Sequence, residues 1–211
     1  WSTTSKTKER CLMTSLYDEL KILMDDVAHK EIQCRKYLEH AKDKLIKCTP
    51  LHFKRFVPEY RGHNGDSDLI ISYETVSDAG IKCTEAYIWE IKSPQCHIFE
   101  YDNSNRVKPT ADLISAENQL LHYFEESQKS TQFLEEFELT SPDHLHIGGV
   151  IIGSSKTLVK PHKQYKDDLA IRHLYTRASK YRAKHFYKAS SIELLIWDRI
   201  LELLKPPQTN P

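Results

Sequence analysis

An apolar segment, AYIWEIKSPQ (residues 86–95), carries a carboxylate and an amine two residues apart near its end. Alternate residues of a β-strand face the same way, so Glu90 and Lys92 share one face of the predicted strand and Trp89 lies on the other. Asp68 begins the preceding predicted strand, DLIISYE. If the two strands form a hairpin, we expect Asp68 to lie beside Glu90 at the hairpin's open end.

Two carboxylates and one ammonium group at the end of a strand have a definite chemical use. Paired carboxylates bind Mg²⁺ or Mn²⁺, and Mg²⁺ retains several waters and also binds phosphate oxygens. A bound metal ion lowers the pKa of water and stabilises charge on a phosphate. The lysine orients or deprotonates the attacking water, or stabilises the transition state. These groups form the set that phosphodiester hydrolysis needs.

The E-x-K triplet by itself is a weak signal, because common residue frequencies produce about one in a chain of this length. Glu19-Leu20-Lys21 is a second copy, on a predicted surface helix. An ion pair on a solvated strand face is therefore the alternative interpretation of Glu90 and Lys92. A predicted helix adds Gln119 and Tyr123, four residues apart on one face. They either cross the mouth of the site or belong to a partly buried amphipathic helix.

The order of predicted elements is helix, strand, hairpin, helix, strand, helix, strand, helix. Helical spacing covers residues 15–47, with a break near residues 28–30, and residues 110–137 form one predicted helix. Pro58 is expected to close the first strand. The very apolar segment HIGGVIIGSS is typical of a buried central strand. This order predicts an α/β domain with a mixed central sheet flanked by helices.

Composition places the 211-residue chain among soluble globular proteins, with 39% hydrophobic and 28% charged residues. No apolar run approaches the roughly 18 residues of a membrane-spanning helix. Five cysteines, an odd number without C-x-x-C spacing, argue against a disulfide framework and a structural zinc site. We therefore expect a reducing cytoplasmic location and no contact with a membrane.

The zero net charge hides an uneven distribution of charged residues along the chain. Residues 111–143 contain eight acids and one base, whereas residues 156–188 contain ten bases and two acids. A basic block attracts a polyanion such as nucleic acid, although the same pattern also describes a solvated helix face. The acidic segment could equally form a surface for a protein partner.

Taken together, these motifs resemble the PD-(D/E)XK nuclease superfamily, which has a restriction-endonuclease-like fold. In detail they are similar to the nuclease domain of the Shedu anti-phage defence proteins over about residues 30–205. The matching motifs, in chain order, are DLII, EIKSP, QLLHY, GGVIIGS, the basic stretch 156–188 and IELLIWDRILELL. Ser67 stands where the superfamily often has proline, which leaves Asp66 as a rival to Asp68.

The resemblance implies a role for each matching residue. Asp68 and Glu90 would be metal ligands, and Lys92 would be the catalytic lysine. Gln119 would contact the metal shell or the DNA backbone. A glutamate from the first helix often joins the ligands, and Glu31 is the first candidate, followed by Glu39. The implied DNA-binding residues are Tyr123, Lys156, Lys160, Lys163 and Arg172.

The resemblance also implies a domain division and a function. A polar segment and helical lead-in (1–29) would precede the nuclease-like domain (30–205) and a tail (206–211). The activity would be Mg²⁺-dependent or Mn²⁺-dependent DNA endonuclease action in prokaryotic defence against phage, by a homodimer or homotetramer. The alternative is a catalytically inactive nuclease-fold module that binds nucleic acid or scaffolds a defence complex.

Overall fold

A computed structural model describes residues 15–62, 65–77, 79–104, 106–162 and 167–206. The strands are β1 (His52–Gly62), β2 (Gly65–Val76), β3 (Lys82–Ile91), β4 (Phe99–Tyr101), β5 (Val107–Pro109), β6 (Leu145–Ile151) and β7 (Glu193–Leu195). The α-helices are α1 (Leu16–Asp25), α2 (Glu31–Arg35), α3 (Ala111–Lys129), α4 (Thr131–Glu136), α5 (Asp168–Arg182), α6 (Lys188–Ser190) and α7 (Trp197–Leu203). Two 3-10 helices (Leu38–Lys44, Pro142–His144) and a π-helix (Ala183–Tyr187) complete the described elements.

Five strands form one mixed sheet in the order β1-β2-β3-β6-β7. β1, β2 and β3 pair antiparallel, whereas β6 pairs parallel with β3 and β7 pairs parallel with β6. Helices cover both faces of this sheet. The structure therefore confirms the predicted α/β class with a mixed central sheet flanked by helices, and the predicted hairpin is the β2–β3 pair.

The two faces of the sheet pack into two separate hydrophobic clusters. Tyr87, Trp89 and Ile91 lie in the cluster formed with α1, α7 and the first 3-10 helix. Ile88 lies in the opposite cluster, formed with α3. This alternation follows from the two-residue period of a strand. It places Glu90 on the face covered by α3.

Two predicted boundaries were wrong. β1 continues through Pro58, which pairs in register with Leu69; β1 is an edge strand, where a missing N–H is tolerated. The helix predicted for residues 110–137 breaks at Ser130, whose hydroxyl caps α4 by accepting from the Phe133 N–H. Between Pro94 and Pro109, where the sequence analysis places no strand, the chain forms the small β4–β5 ribbon.

Two adjacent glycines allow β6 to fit between β3 and β7 in the sheet. A side chain at Gly148 would collide with the Trp89 indole, whose Nε1 donates to the Leu45 carbonyl at 2.9 Å. A side chain at Gly149 would collide with the backbone of Glu193 in β7. Both positions therefore need glycine for close approach rather than for an unusual backbone conformation.

Four cysteines of the described residues are free thiols: Cys34, Cys48, Cys83 and Cys96. Among the helices of the described ranges, none has the length and apolar character required to cross a bilayer.

Candidate active site

The open end of the β2–β3 hairpin brings Asp68 and Glu90 together. Leu69 pairs with Trp89 in the antiparallel register, and Asp68 and Glu90 are the next residues outward on their strands. Asp68 reaches across to β3, where its Oδ2 accepts the Ile91 N–H at 2.9 Å. Glu90 is only 2% exposed. A buried carboxylate next to a second carboxylate is the central feature of this site.

Lys92 joins the two carboxylates to helix α3. Its Nζ donates to Glu90 Oε1 at 2.7 Å and to Gln119 Oε1 at 2.9 Å. Gln119 lies on α3, which packs over β2, β3 and β6. Four residues that are far apart in the sequence, Asp68, Glu90, Lys92 and Gln119, thus form one cluster.

Burial and charge raise the pKa of Glu90 to about 8. Burial is the largest cause, because it disfavours the charged form, and the charge of Asp68 raises the pKa further. The hydrogen bond and the charge of Lys92 act in the opposite direction without cancelling these effects. When no metal ion is bound, the Glu90 carboxyl therefore holds a proton more strongly than an exposed glutamate does.

Lys92 has a raised pKa even though burial by itself would lower it. The hydrogen bond to Glu90, followed by the charges of Glu90 and Asp68, outweighs burial. The ammonium form therefore prevails at neutral pH. Of the roles considered for this lysine, orienting water and stabilising negative charge suit that form better than proton abstraction does.

Hydrogen bonds on both sides of Lys92 fix the backbone that carries it. The Lys92 N–H donates to the Ile151 carbonyl at 2.8 Å, and the Trp197 indole donates to the Lys92 carbonyl at 2.8 Å. The Ser93 hydroxyl accepts the Lys30 N–H at 3.1 Å, just before α2. The SPQ segment therefore ties the end of β3 to α2.

Arg35 on α2 is a site residue that the sequence analysis missed. Its guanidinium contacts three carboxylates: Asp68 Oδ1 at 2.6 Å, Glu31 Oε1 at 2.6 Å and Glu59 Oε1 at 3.0 Å. Glu59 has a left-handed backbone (φ 56°), and this conformation is uncommon for a residue with a side chain. The four-residue spacing of Glu31 and Arg35 predicts their ion pair, but the sequence holds no signal for the contact with Asp68.

The remaining predicted residues around the cluster occupy different environments. Glu31 lies near it, because its charge contributes to the raised pKa of Lys92, but its carboxylate is bonded to Arg35. Tyr123 faces the cluster: burial first, then the charges of Glu90, Asp68 and Asp66, raise its pKa. Asp66 is exposed opposite Arg61. Glu39 is exposed on the first 3-10 helix.

The predicted DNA-binding cations are spread over several elements. Lys156 pairs with Asp25 at 2.8 Å, and Lys160 pairs with Glu100 at 2.7 Å. Arg172 is exposed on α5, and Lys163 lies outside the described residues. Lys156 and Lys160 therefore have carboxylate partners that a phosphate would have to displace.

The donor set fits a hard divalent cation that keeps part of its water shell. Within the described part of the chain, no group of three or more His, Cys, Asp or Glu side chains could hold a metal ion. Two carboxylates, Asp68 and Glu90, lie close enough for the charge of one to raise the pKa of the other. Mg²⁺ is typically bound in proteins by one or two carboxylates together with waters and substrate phosphates. Asp68 and Glu90 would hold such an ion, and its charge would relieve their repulsion.

Replacing Glu90 by glutamine is expected to stabilise the metal-free protein at high pH. The unfolded glutamate ionises near its ordinary pKa, about 4.3, whereas the folded one ionises near 8. Between these values the folded state binds more protons, so the stability of the native protein falls as pH rises. Glutamine does not titrate, and we expect Glu90→Gln to be more stable by several kcal/mol above pH 8, since each unit of pKa difference corresponds to about 1.4 kcal/mol.

Urea unfolding in EDTA at acidic, neutral and alkaline pH measures this difference. The gain from Glu90→Gln should be small near pH 5, grow up to pH 8 and then stay constant. Glu202→Gln, on the exposed face of α7, is the control and should show no such trend. A gain that does not change with pH would contradict a raised pKa at Glu90.

No protein-family model and no curated protein matches the chain. The cluster of Asp68, Glu90, Lys92 and Gln119 is therefore the main basis for inferring the function.

Proposed function

We propose that the chain is a metal-dependent endonuclease that hydrolyses DNA phosphodiester bonds, of the PD-(D/E)XK type with a restriction-endonuclease-like fold. The observation that carries this proposal is the cluster of Asp68, a buried Glu90 and a charged Lys92 at one end of a mixed sheet. An ordinary surface ion pair does not require a carboxylate that is 2% exposed. The alternative of a solvated strand face does not account for that burial.

Each residue of the cluster has a role in this proposal. Asp68 and Glu90 would hold Mg²⁺ or Mn²⁺, which would supply a water of lowered pKa and charge stabilisation at the phosphate. The Lys92 ammonium would orient the attacking water and stabilise negative charge. Gln119 holds Lys92 in place through its Oε1. Tyr123 faces the same cluster from the next turn of α3 and would contact the DNA backbone.

The biological setting of the proposal comes from the resemblance to Shedu nuclease domains. By that analogy the chain acts on DNA in prokaryotic defence against phage, as a homo-oligomer in the cytoplasm. The motifs EIKSP and QLLHY support the analogy because the structure brings Lys92 and Gln119 into contact. Cleavage of DNA in Mg²⁺ would support the proposed phosphodiester hydrolysis. A phage-restriction assay would separately test the proposed role in defence.

A nuclease-fold module without catalytic activity is the second candidate, and one contact favours it. Arg35 bonds to Asp68 Oδ1 at 2.6 Å, so a cation of the protein already neutralises a predicted metal ligand. Such a module would bind DNA equally well with Mg²⁺ and with EDTA and would cleave in neither. The nuclease proposal requires the metal ion to draw Asp68 away from Arg35 or to share the carboxylate with it.

Asp68 and Asp66 offer a matched pair of variants for testing the proposal. Asparagine at position 68 keeps an acceptor for the Ile91 N–H but loses the charge that a metal ion needs. We expect Asp68→Asn to reduce Mg²⁺-dependent plasmid cleavage by roughly 10²-fold or more. Asp66→Asn changes an exposed residue and should cleave at nearly the native rate. Equal loss in both variants, or cleavage that persists in EDTA, would contradict the assignment.

A further inference from the structure

A groove on the face of α5 lies outside the catalytic cluster and combines positive charge with exposed aromatic rings. It runs between α5 and the β4–β5 ribbon and encloses about 630 Å³, within the range of small-molecule binding sites. Its floor is apolar, with Phe99, Val107 and Leu174. Its charged and aromatic lining residues are Arg106, Lys108, Arg177, Arg182, Tyr181 and Phe186.

Two aromatic side chains on the wall of this groove are exposed. Tyr181, on α5, is 62% exposed, and Phe186, on the π-helix that follows, is 54% exposed. Tyr181 lies 4.5 Å from the His185 ring, and the Arg182 guanidinium lies 5.0 Å from the Phe186 ring. Exposed apolar surface of this kind typically marks a binding site.

A π-helix at Ala183–Tyr187 carries the exposed Phe186 ring. π-helical turns are rare and often occur at functional sites. At the inner side of this turn, the Tyr187 hydroxyl bonds to buried Glu117 on α3, and Arg182 donates to the same carboxylate. Because Tyr187 is anchored inward, the preceding residue, Phe186, is directed outward into the groove.

The lining charges of the groove complement a polyanion. Of the four cations in the lining, Arg182 bonds to the buried Glu117 carboxylate, which leaves Arg106, Lys108 and Arg177 to contact a ligand. Arg106 and Lys108 pair with Asp102 and Glu100, so a phosphate would have to displace these carboxylates, as it would at Lys156 and Lys160. Ion pairs with a solvent-exposed cation contribute little to stability. Arg177 is exposed, and no carboxylate of the described residues pairs with it.

We propose that this groove binds single-stranded nucleic acid, with bases stacked on Tyr181 and Phe186 and phosphates on Arg106, Lys108 and Arg177. Aromatic platforms combined with a cationic groove are the features that bind single strands without sequence preference. The concave shape suits a flexible strand of nucleotides better than a flat anionic bilayer. This binding does not depend on catalysis by the cluster of Asp68, Glu90 and Lys92.

Fluorescence anisotropy of a labelled oligo(dT) strand with the full chain in EDTA tests the proposal. The double variant Tyr181→Ala/Phe186→Ala should bind about 10- to 100-fold more weakly, because each stacked base loses its platform. Arg177→Gln should reduce the slope of log affinity against log salt concentration by about 0.7, the value for one phosphate contact on a single strand.

Matched controls separate the groove from the general surface. Ile22→Ala removes a side chain that is 65% exposed on α1, and Arg199→Gln removes an exposed cation on α7, which packs on the opposite face of the sheet. Both should bind oligo(dT) like the native chain. Thermal unfolding should be the same for all variants, because every changed residue is exposed.

The proposal would be overturned if the native chain did not bind oligo(dT), or if the aromatic double variant bound it with native affinity. It would also be overturned if that double variant lost binding to anionic vesicles but kept binding to oligo(dT). Cleavage of duplex plasmid in Mg²⁺ is measured on the same variants. If cleavage is native while oligo(dT) binding is lost, the groove is a separate site. If binding depends on the groove but no variant cleaves, the nuclease proposal fails and the groove proposal stands.

Discussion

Replacing Arg35 by glutamine is expected to lower the free energy of unfolding of the metal-free protein by about 3 kcal/mol. Arg35 has a side chain only 11% exposed and contacts Asp68, Glu31 and Glu59. Its removal leaves three carboxylates close together without their shared cation. The expected loss lies at the lower end for a broken buried ion pair, because Glu31 and Glu59 remain partly exposed to water.

Magnesium should restore part of the stability lost in Arg35→Gln. A divalent cation bound by Asp68 and Glu90 replaces the missing positive charge, so Mg²⁺ should stabilise the variant more than it stabilises the native chain. Urea unfolding with Mg²⁺ and with EDTA measures both values. The free energy of unfolding of Arg35→Lys, which keeps the charge, should fall between those of the native chain and Arg35→Gln. An Arg35→Gln variant that is as stable as the native chain in EDTA would contradict the central position of this residue.

Replacing Lys92 by alanine has the largest effect expected on activity, a loss of roughly 10³-fold in the rate of DNA cleavage. The variant removes the ammonium that bonds to Glu90 and Gln119. Its backbone contacts to Ile151 and Trp197 do not involve the side chain, and the raised pKa of Glu90 lets that carboxyl take up a proton when the ammonium is lost. The fold should therefore survive. Affinity for DNA should change little, because the basic residues of α5 remain.

The second E-x-K triplet supplies the matched control for Lys92. Lys21 lies on α1, is 52% exposed and pairs with Asp25. An exposed helical pair of this kind contributes only a few tenths of a kcal/mol. Lys21→Ala should therefore cleave DNA at the native rate. The comparison separates the loss of a lysine in general from the loss of the lysine at the cluster.

The parts of the site that depend on local periodicity were predictable from the sequence. The two-residue period of β3 places Glu90 and Lys92 on one face, and the hairpin brings Asp68 beside Glu90. The helical period of α3 directs Gln119 and Tyr123 to the same side. The interior position of β6 in the sheet was predictable from its continuous apolar character.

Contacts between distant elements were not predictable in this way. The bond from Arg35 to Asp68 depends on how α2 is placed by Ser93, and no local pattern encodes that placement. The neutralisation of Lys160 by Glu100 also depends on tertiary structure. Burial, which raises the pKa of Glu90, results from the packing of α3 over the sheet.

The most direct test of the central claim is the initial rate of plasmid cleavage in Mg²⁺ by the native chain, Lys92→Ala and Lys21→Ala at equal concentrations. Metal-dependent catalysis at the cluster predicts cleavage by the native chain and by Lys21→Ala, and a loss of roughly 10³-fold in Lys92→Ala. No cleavage should occur in EDTA. Equal rates for Lys92→Ala and the native chain, or no cleavage by the native chain, would contradict the proposed activity.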